Sequence, residues 1–164
     1  MKKMAILISL IIVSCNDQTP QNSSTMDTFD SKTGYELKKI YPVSQEKVFK
    51  ALTNPEVLRK IWGVQSISVD ARVGGKTNAV YVDSTTDWSF TITYSEVVPN
   101  EKLKWVTHFK SFPNKETRVT LLFDQAEAGT EFTVRMENFE SSEERDANKT
   151  AWKNALDTLD KILK

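Results

Sequence analysis

From Tyr35 onward the apolar positions change period three times along the chain. Tyr35 to Tyr41 is a short β-prone segment with partial alternation, ended by Pro42. Val48, Phe49, Ala51 and Leu52 then fall at helical spacing behind Ser44, a good N-cap. Asn54-Pro55-Glu56 restarts a helix with a capping side chain, a proline at the first helical position and an acid in the first turn. This second short helix carries Val57, Leu58, Ile61 and Trp62 and stops at Gly63.

Period two then takes over. Ser66-Ile67-Ser68-Val69-Asp70 predicts a strand, Gly74-Gly75 a turn, and the run from Lys76 to Val82 the return strand. The residues from Asp83 to Asp87 read as a polar loop. Trp88, Phe90, Ile92 and Tyr94 alternate with Ser89, Thr91, Thr93 and Ser95. After a turn at Pro99-Asn100-Glu101-Lys102, one face of the next strand is marked by Leu103, Trp105, Thr107 and Phe109. Val119, Leu121 and Phe123 mark another, and Phe132, Val134 and Met136 the last, with Gly129 in the turn between them.

Ser141-Ser142-Glu143-Glu144 is a capping box. Behind it Asn148, Trp152, Ala155, Leu159 and Ile162 recur at steps of four and three, a helical stripe facing a partner surface. Lys161 and Lys164 fall in the last turn, where cations suit the helix dipole. About 22 residues give a helix roughly 33 Å long. One strand, two short helices, about six antiparallel strands and a long helix make an α+β domain, with helices segregated to one face of the sheet.

Composition separates the N-terminus from this domain. The 164 residues carry 22 basic and 22 acidic side chains, one cysteine and one histidine. The first fourteen residues hold Lys2, Lys3 and no acid, which leaves 20 basic and 22 acidic residues beyond them, a net of −2. A nucleic-acid binder would carry a clear basic excess. One cysteine and one histidine exclude an internal disulfide and the usual Cys/His zinc cages, so no metal or cofactor is expected.

Lys2-Lys3 followed by the apolar run from Met4 to Val13 reads as a secretory signal. Ten residues of helix span roughly 15 Å, half of the ~30 Å hydrocarbon core, too little for a membrane crossing. Ile12-Val13-Ser14-Cys15 resembles the lipobox of bacterial lipoproteins. That resemblance implies a diacylglyceryl group on the Cys15 sulfur, cleavage before Cys15 and acylation of the new amino group. Several acyl chains make a stable anchor, because each buried CH₂ contributes about 0.8 kcal/mol. Asn16, in place of Asp, leans toward the outer membrane. The polar stretch from Asn16 to Lys32 lacks apolar periodicity and reads as a tether. The expected organisation is therefore a signal at 1–14, a lipidated N-terminus and tether at 15–34, and a folded domain at 35–164, lipid-anchored in the bacterial cell envelope at the outer membrane or the periplasmic face of the inner membrane.

The ordered segments Ile40-Tyr41-Pro42-Val43-Ser44, Val48-Phe49-Lys50-Ala51-Leu52-Thr53-Asn54-Pro55-Glu56 and Ile61-Trp62-Gly63 resemble the opening of the SRPBCC or START-like superfamily. They are similar in particular to the branch typified by the C-terminal domain of the activator of the ninety-kilodalton heat-shock-protein ATPase. Asp70-Ala71-Arg72-Val73-Gly74-Gly75-Lys76 matches that branch's Gly-Gly turn, and the run from Glu96 to Leu103 its "EVVP…L" connection. Gly129-Thr130 and Asn138-Phe139 follow in order, and Ala151-Trp152, Leu156 and Leu159 match the closing "GW…L..L" pattern. Two positions depart: Ile61 stands where the branch has the first of two tryptophans, and Ala151 where it has glycine. The resemblance implies a helix-grip fold, a seven-stranded antiparallel sheet wrapped around the C-terminal helix, often with an apolar cavity between them.

The candidate cavity residues are Trp62, Trp88, Phe90, Tyr94, Trp105, Phe109, Met136, Phe139 and Trp152. Aromatic residues dominate cores everywhere, so any one of them can be packing alone. Together they suit a pocket that is mostly apolar with a few polar groups. His108 is out of phase with Trp105, Thr107 and Phe109 and should face the other side of the sheet. Asp70 and Arg72 can pair across the Gly-Gly hairpin. Glu96 falls in phase with Tyr94 and can point inward; Glu137 and Glu140 read as solvated. No G-x-S-x-G, phosphate loop or paired-His metal motif occurs, and Gly74-Gly75 lacks the third glycine of a dinucleotide fingerprint. Three readings follow: a membrane-anchored binding protein for a small hydrophobic or lipid-like ligand, a cyclase- or hydrolase-type enzyme of the superfamily using Tyr94, Glu96 and Thr107, or a protein-interaction module. Activation of a cytosolic chaperone ATPase fits poorly with a lipoprotein.

Overall fold

Three side-chain caps set the helices in the computed structural model, which describes residues 29–164. Strand β1 (Tyr35–Tyr41) leads into helix α1 (Gln45–Thr53), where the Ser44 hydroxyl accepts from the Lys47 amide at 3.3 Å. Asn54 Oδ1 accepts from the amides of Glu56 and Val57 and starts α2 (Pro55–Trp62). That helix ends at Gly63 with φ 65°, a left-handed conformation that costs glycine least. Ser141 Oγ accepts from the Glu144 amide to begin α3 (Ser142–Leu163). Each cap satisfies an N–H that the helix itself leaves without a partner.

The remaining strands are β2 (Ser66–Val69), β3 (Lys76–Val80), β4 (Phe90–Val98), β5 (Lys102–Phe109), β6 (Phe112–Ala126) and β7 (Gly129–Glu137). They form one antiparallel sheet in the order β1-β7-β6-β5-β4-β3-β2. The strands from β2 to β7 meander, and β1 closes the far edge with Tyr35 opposite Met136 and Tyr41 opposite Thr130. The curved sheet wraps around α3, with α1 and α2 packed beside it. This is the α+β helix-grip architecture. Among the described residues no helix is long and apolar enough to cross a membrane.

The core lies between the concave face and the helices. The Phe123 ring meets Phe132 at 5.2 Å and Phe49 at 5.4 Å, with Leu103, Leu121 and Leu159 fully buried around them. Tyr41 is fully buried, and its hydroxyl donates to the Leu156 carbonyl at 3.1 Å, hooking β1 to α3. Burial pushes that hydroxyl's pKa up, and Asp160 and Asp157 add to the effect. At Gly129, with φ 129°, a Cβ would strike the backbone of Tyr41, Val43 and Pro42, so the β6–β7 turn tucks under the end of β1 only as glycine.

Two sequence expectations need correction, and one strand runs further than its marked face. The α3 stripe buries Trp152, Ala155, Leu156 and Leu159, but its last step is four residues to Leu163, which leaves Ile162 37% exposed. Strand β3 stops at Val80; Tyr81 and Val82 are exposed at the start of the following loop. Strand β6 begins at Phe112, well before Val119. Its largely exposed first half extends along β5, with Thr117 opposite Thr107 and Glu116 opposite His108.

Candidate functional site

The concave face does not close completely on α3. Between them lies a cavity of about 210 Å³. Ile61 and Trp62 reach it from the end of α2, and Phe90 and Ile92 from β4. Trp105, Thr107 and Phe109 come from β5, Val119 from β6 and Met136 from β7. Asn148, Ala151, Trp152 and Ala155 form the α3 wall, one helical face at steps of three and four. The aromatic rings brace one another: Trp62 meets Phe90 edge-on at 5.7 Å, and Phe90 meets Phe109 at 5.7 Å. Phe90 and Phe109 also border a second hollow of about 580 Å³ at the strand ends, lined by Asn78, Asp87, His108 and Lys110 among others.

Two polar side chains enter the apolar lining. Thr107 is 7% exposed, and its Oγ1 accepts from Trp105 Nε1 at 3.1 Å. Asn148 Oδ1 accepts from the Tyr35 hydroxyl at 2.6 Å. The Tyr35 oxygen also lies 3.0 Å from Met136 Sδ. Burial pushes the Tyr35 hydroxyl far above its ordinary pKa, so it is a neutral donor at any physiological pH. No charged side chain lines the cavity among the described residues.

Of the residues expected from sequence, the cavity brings together Trp62, Phe90, Trp105, Phe109, Met136 and Trp152. Three others lie elsewhere. Tyr94 is buried beside the cavity, edge-on to Trp105 at 5.8 Å, and its hydroxyl shares a hydrogen bond with Thr77 at 3.0 Å. Phe139 stacks on Tyr35 at 5.7 Å and closes the end of the core. Trp88 precedes β4; its indole donates to Asp83 Oδ2 at 3.0 Å and its ring lies 5.5 Å from Phe112. Its apparent phase with Phe90 is broken because the chain there is loop, and Trp88 is 37% exposed.

Glu96 also departs from its expected direction. The register between β4 and β5 slips by one residue between Tyr94 and Glu96, so Ser95 is the extra residue of a β-bulge. The bulge inverts the alternation: Val97 turns inward, while Glu96 pairs with Lys102 at 3.2 Å and Lys104 at 4.0 Å. His108 is exposed, 3.9 Å from Glu116. Asp70 and Arg72 pair at 3.0 Å within the turn. Among the described residues no group of three or more His, Cys, Asp or Glu is placed to hold a metal ion. Cys15 and the signal and tether segments up to residue 28 lie outside the described residues.

A curved antiparallel sheet gripping a C-terminal helix over an apolar cavity defines the SRPBCC, or START-like, class. Residues 42–164 match the family model described as Activator of Hsp90 ATPase homolog 1-like protein, and the chain belongs to that family. No curated protein matches the sequence. Solved structures share the fold. A Chromobacterium violaceum protein is 20% identical, with 80% of this chain and 97% of that chain covered and a TM-score of 0.69. One from Nitrosomonas europaea is 22% identical, with 83% and 97% covered and a TM-score of 0.68. One from Mycobacterium smegmatis is 16% identical, with 84% and 94% covered and a TM-score of 0.69. At these identities the likeness establishes the fold alone.

Proposed function

We propose that the chain is a binding protein for a small hydrophobic or lipid-like ligand, held at a bacterial membrane by lipid on Cys15, and that it binds without catalysis. The observation that carries the reading is the cavity itself: a mostly apolar lining with two polar side chains, the usual make-up of a small-molecule site. The residues weighed for catalysis support it too. Glu96 faces lysines, Tyr94 is engaged by Thr77, and only Thr107 reaches the cavity. General acid–base chemistry needs convergent titratable groups within hydrogen-bond reach. Native mass spectrometry of residues 29–164, offered lipid extracts and small aromatics, tests the reading. A bound mass is expected; ligand-free protein throughout would count heavily against it.

The anchor rests on the basic start, the short apolar run and the lipobox ending at Cys15. Cys15→Ser should release the protein from the membrane fraction; equal membrane association would refute lipidation.

An interaction module is the second reading, favoured by the exposed pair Trp88 and Phe112 beside exposed Tyr81 and Val82. The Trp88→Ala, Phe112→Ser double variant separates the two. Cavity binding should survive it, because neither residue lines the cavity.

A further inference from the structure

The polar groups of the cavity define what kind of molecule it takes, given the ligand-binding reading above. Thr107 has used one lone pair to accept from Trp105, and its O–H hydrogen has no partner among the described residues. Asn148 has used Oδ1 to accept from Tyr35, and its amide N–H groups likewise have no protein partner there. Both walls therefore hold unused N–H or O–H donors beside oxygens that have each accepted one hydrogen bond. Thr107 is buried, so its unused O–H hydrogen is costly, whereas an oxygen with one lone pair unused is tolerated; the half-buried Asn148 keeps its N–H groups within reach of water. An incoming acceptor relieves that cost and an incoming donor does not.

Size and charge narrow the class further. A cavity of ~150 Å³ takes benzene, and sites for drug-sized molecules begin near ~300 Å³. At about 210 Å³ the space suits a single ring with a short substituent. No Lys, Arg or His lines it, so a charge drawn into the cavity would have no partner there.

We propose that the cavity binds a neutral, ring-sized apolar molecule bearing a carbonyl oxygen, and that this oxygen accepts a hydrogen bond from Asn148 or Thr107. The wall of Trp62, Phe90 and Phe109 packs the ring.

The test is an NMR titration of the full chain with acetophenone, ethylbenzene and benzoate, three probes of similar size. Water rejects ethylbenzene more strongly than acetophenone, so a cavity acting by apolar burial alone would prefer the hydrocarbon. Acetophenone is expected to bind about tenfold tighter than ethylbenzene, the worth of one well-made hydrogen bond, and benzoate not at all at neutral pH. Asn148→Asp with Thr107→Val should erase the ketone's advantage, while Thr107→Ser, which retains the hydroxyl, should keep it. Ethylbenzene binding as tightly as acetophenone, or benzoate binding best, overturns the ligand class and leaves the cavity reading intact. Failure of all three to bind overturns the ligand-binding reading as well. A wild-type ketone preference unchanged in the double variant overturns the assignment to these two residues.

Discussion

The Tyr35 hydroxyl donates to Asn148 Oδ1 at 2.6 Å, joining the first strand to the last helix across 113 residues of sequence. Asn148 lines the cavity, so the bond both fastens α3 against the sheet edge and orients the Asn148 amide. Tyr35→Phe removes it while leaving the ring stacked on Phe139. We expect a loss of about 1 kcal/mol, the net worth of a typical intramolecular hydrogen bond. Urea unfolding of Tyr35→Phe, Asn148→Ala and the double variant should give a coupling energy of similar size. A coupling near zero would mean that the bond holds nothing together.

Ala151 lines the cavity yet is exposed on α3, one turn beyond Asn148. A larger side chain there can lie across the opening without displacing the core. Ala151→Phe is expected to abolish uptake of a small apolar ligand while changing stability by less than about 1 kcal/mol. Native mass spectrometry reads the first and thermal unfolding the second. Retained binding would place the entry path elsewhere.

The architecture was legible in the sequence where one residue decides a local structure. Ser44, Asn54 and Ser141 announce helix starts through short side chains that can accept from a nearby amide, and all three do so. Periodicity then gave the facing sides of β5 and β7, and with them Trp105, Phe109 and Met136. It failed where one residue is added or the strand is not yet a strand. The bulge at Ser95 turned Glu96 outward, and no local signal marks it, since Ser95 itself suits either phase. Trp88 continues the alternation of β4 in sequence, but the Asp83 carboxylate holds its indole in the loop. Asn148 could be placed on the inward stripe, but its role depends on Tyr35, a contact that chain spacing does not encode.

Gly129 turns the chain from β6 into β7 directly beneath the end of β1. Its φ of 129° lies in a region that side chains rarely adopt, and a methyl group would meet the Tyr41 carbonyl and the Val43 amide nitrogen. Gly129→Ala should cost about 2 kcal/mol from backbone strain alone, and more if the turn shifts. Denaturant unfolding should show a lower midpoint with the slope unchanged. An unaltered midpoint would show that the turn relaxes freely.

The loop before β4 should carry an acid transition of its own. Asp83 Oδ1 accepts from the amides of Thr85 and Thr86, both at 2.7 Å, and from the Thr85 hydroxyl at 2.9 Å. These bonds, the Thr85 amide first, hold its pKa down from 3.8 to about 2. Asp87 is held down to about 2 chiefly by Lys110, whose Nζ lies 2.7 Å away. A carboxylate depressed in the fold stabilises it fully above its unfolded value of ~4. That contribution shrinks below ~4 and is lost as pH falls through about 2. The Trp88 indole N–H donates to Asp83 and reports on it directly. Its proton resonance should inflect near pH 2, and Asp83→Asn should remove the inflection. Salt separates the two acids. Raising ionic strength should move the Asp87 midpoint toward its ordinary value, because its main partner is an exposed lysine. The Asp83 midpoint should hold, because its partners are chiefly uncharged backbone amides fixed by the turn. An Asp83 midpoint near 4 at any salt concentration would mean that the turn does not hold those amides in place.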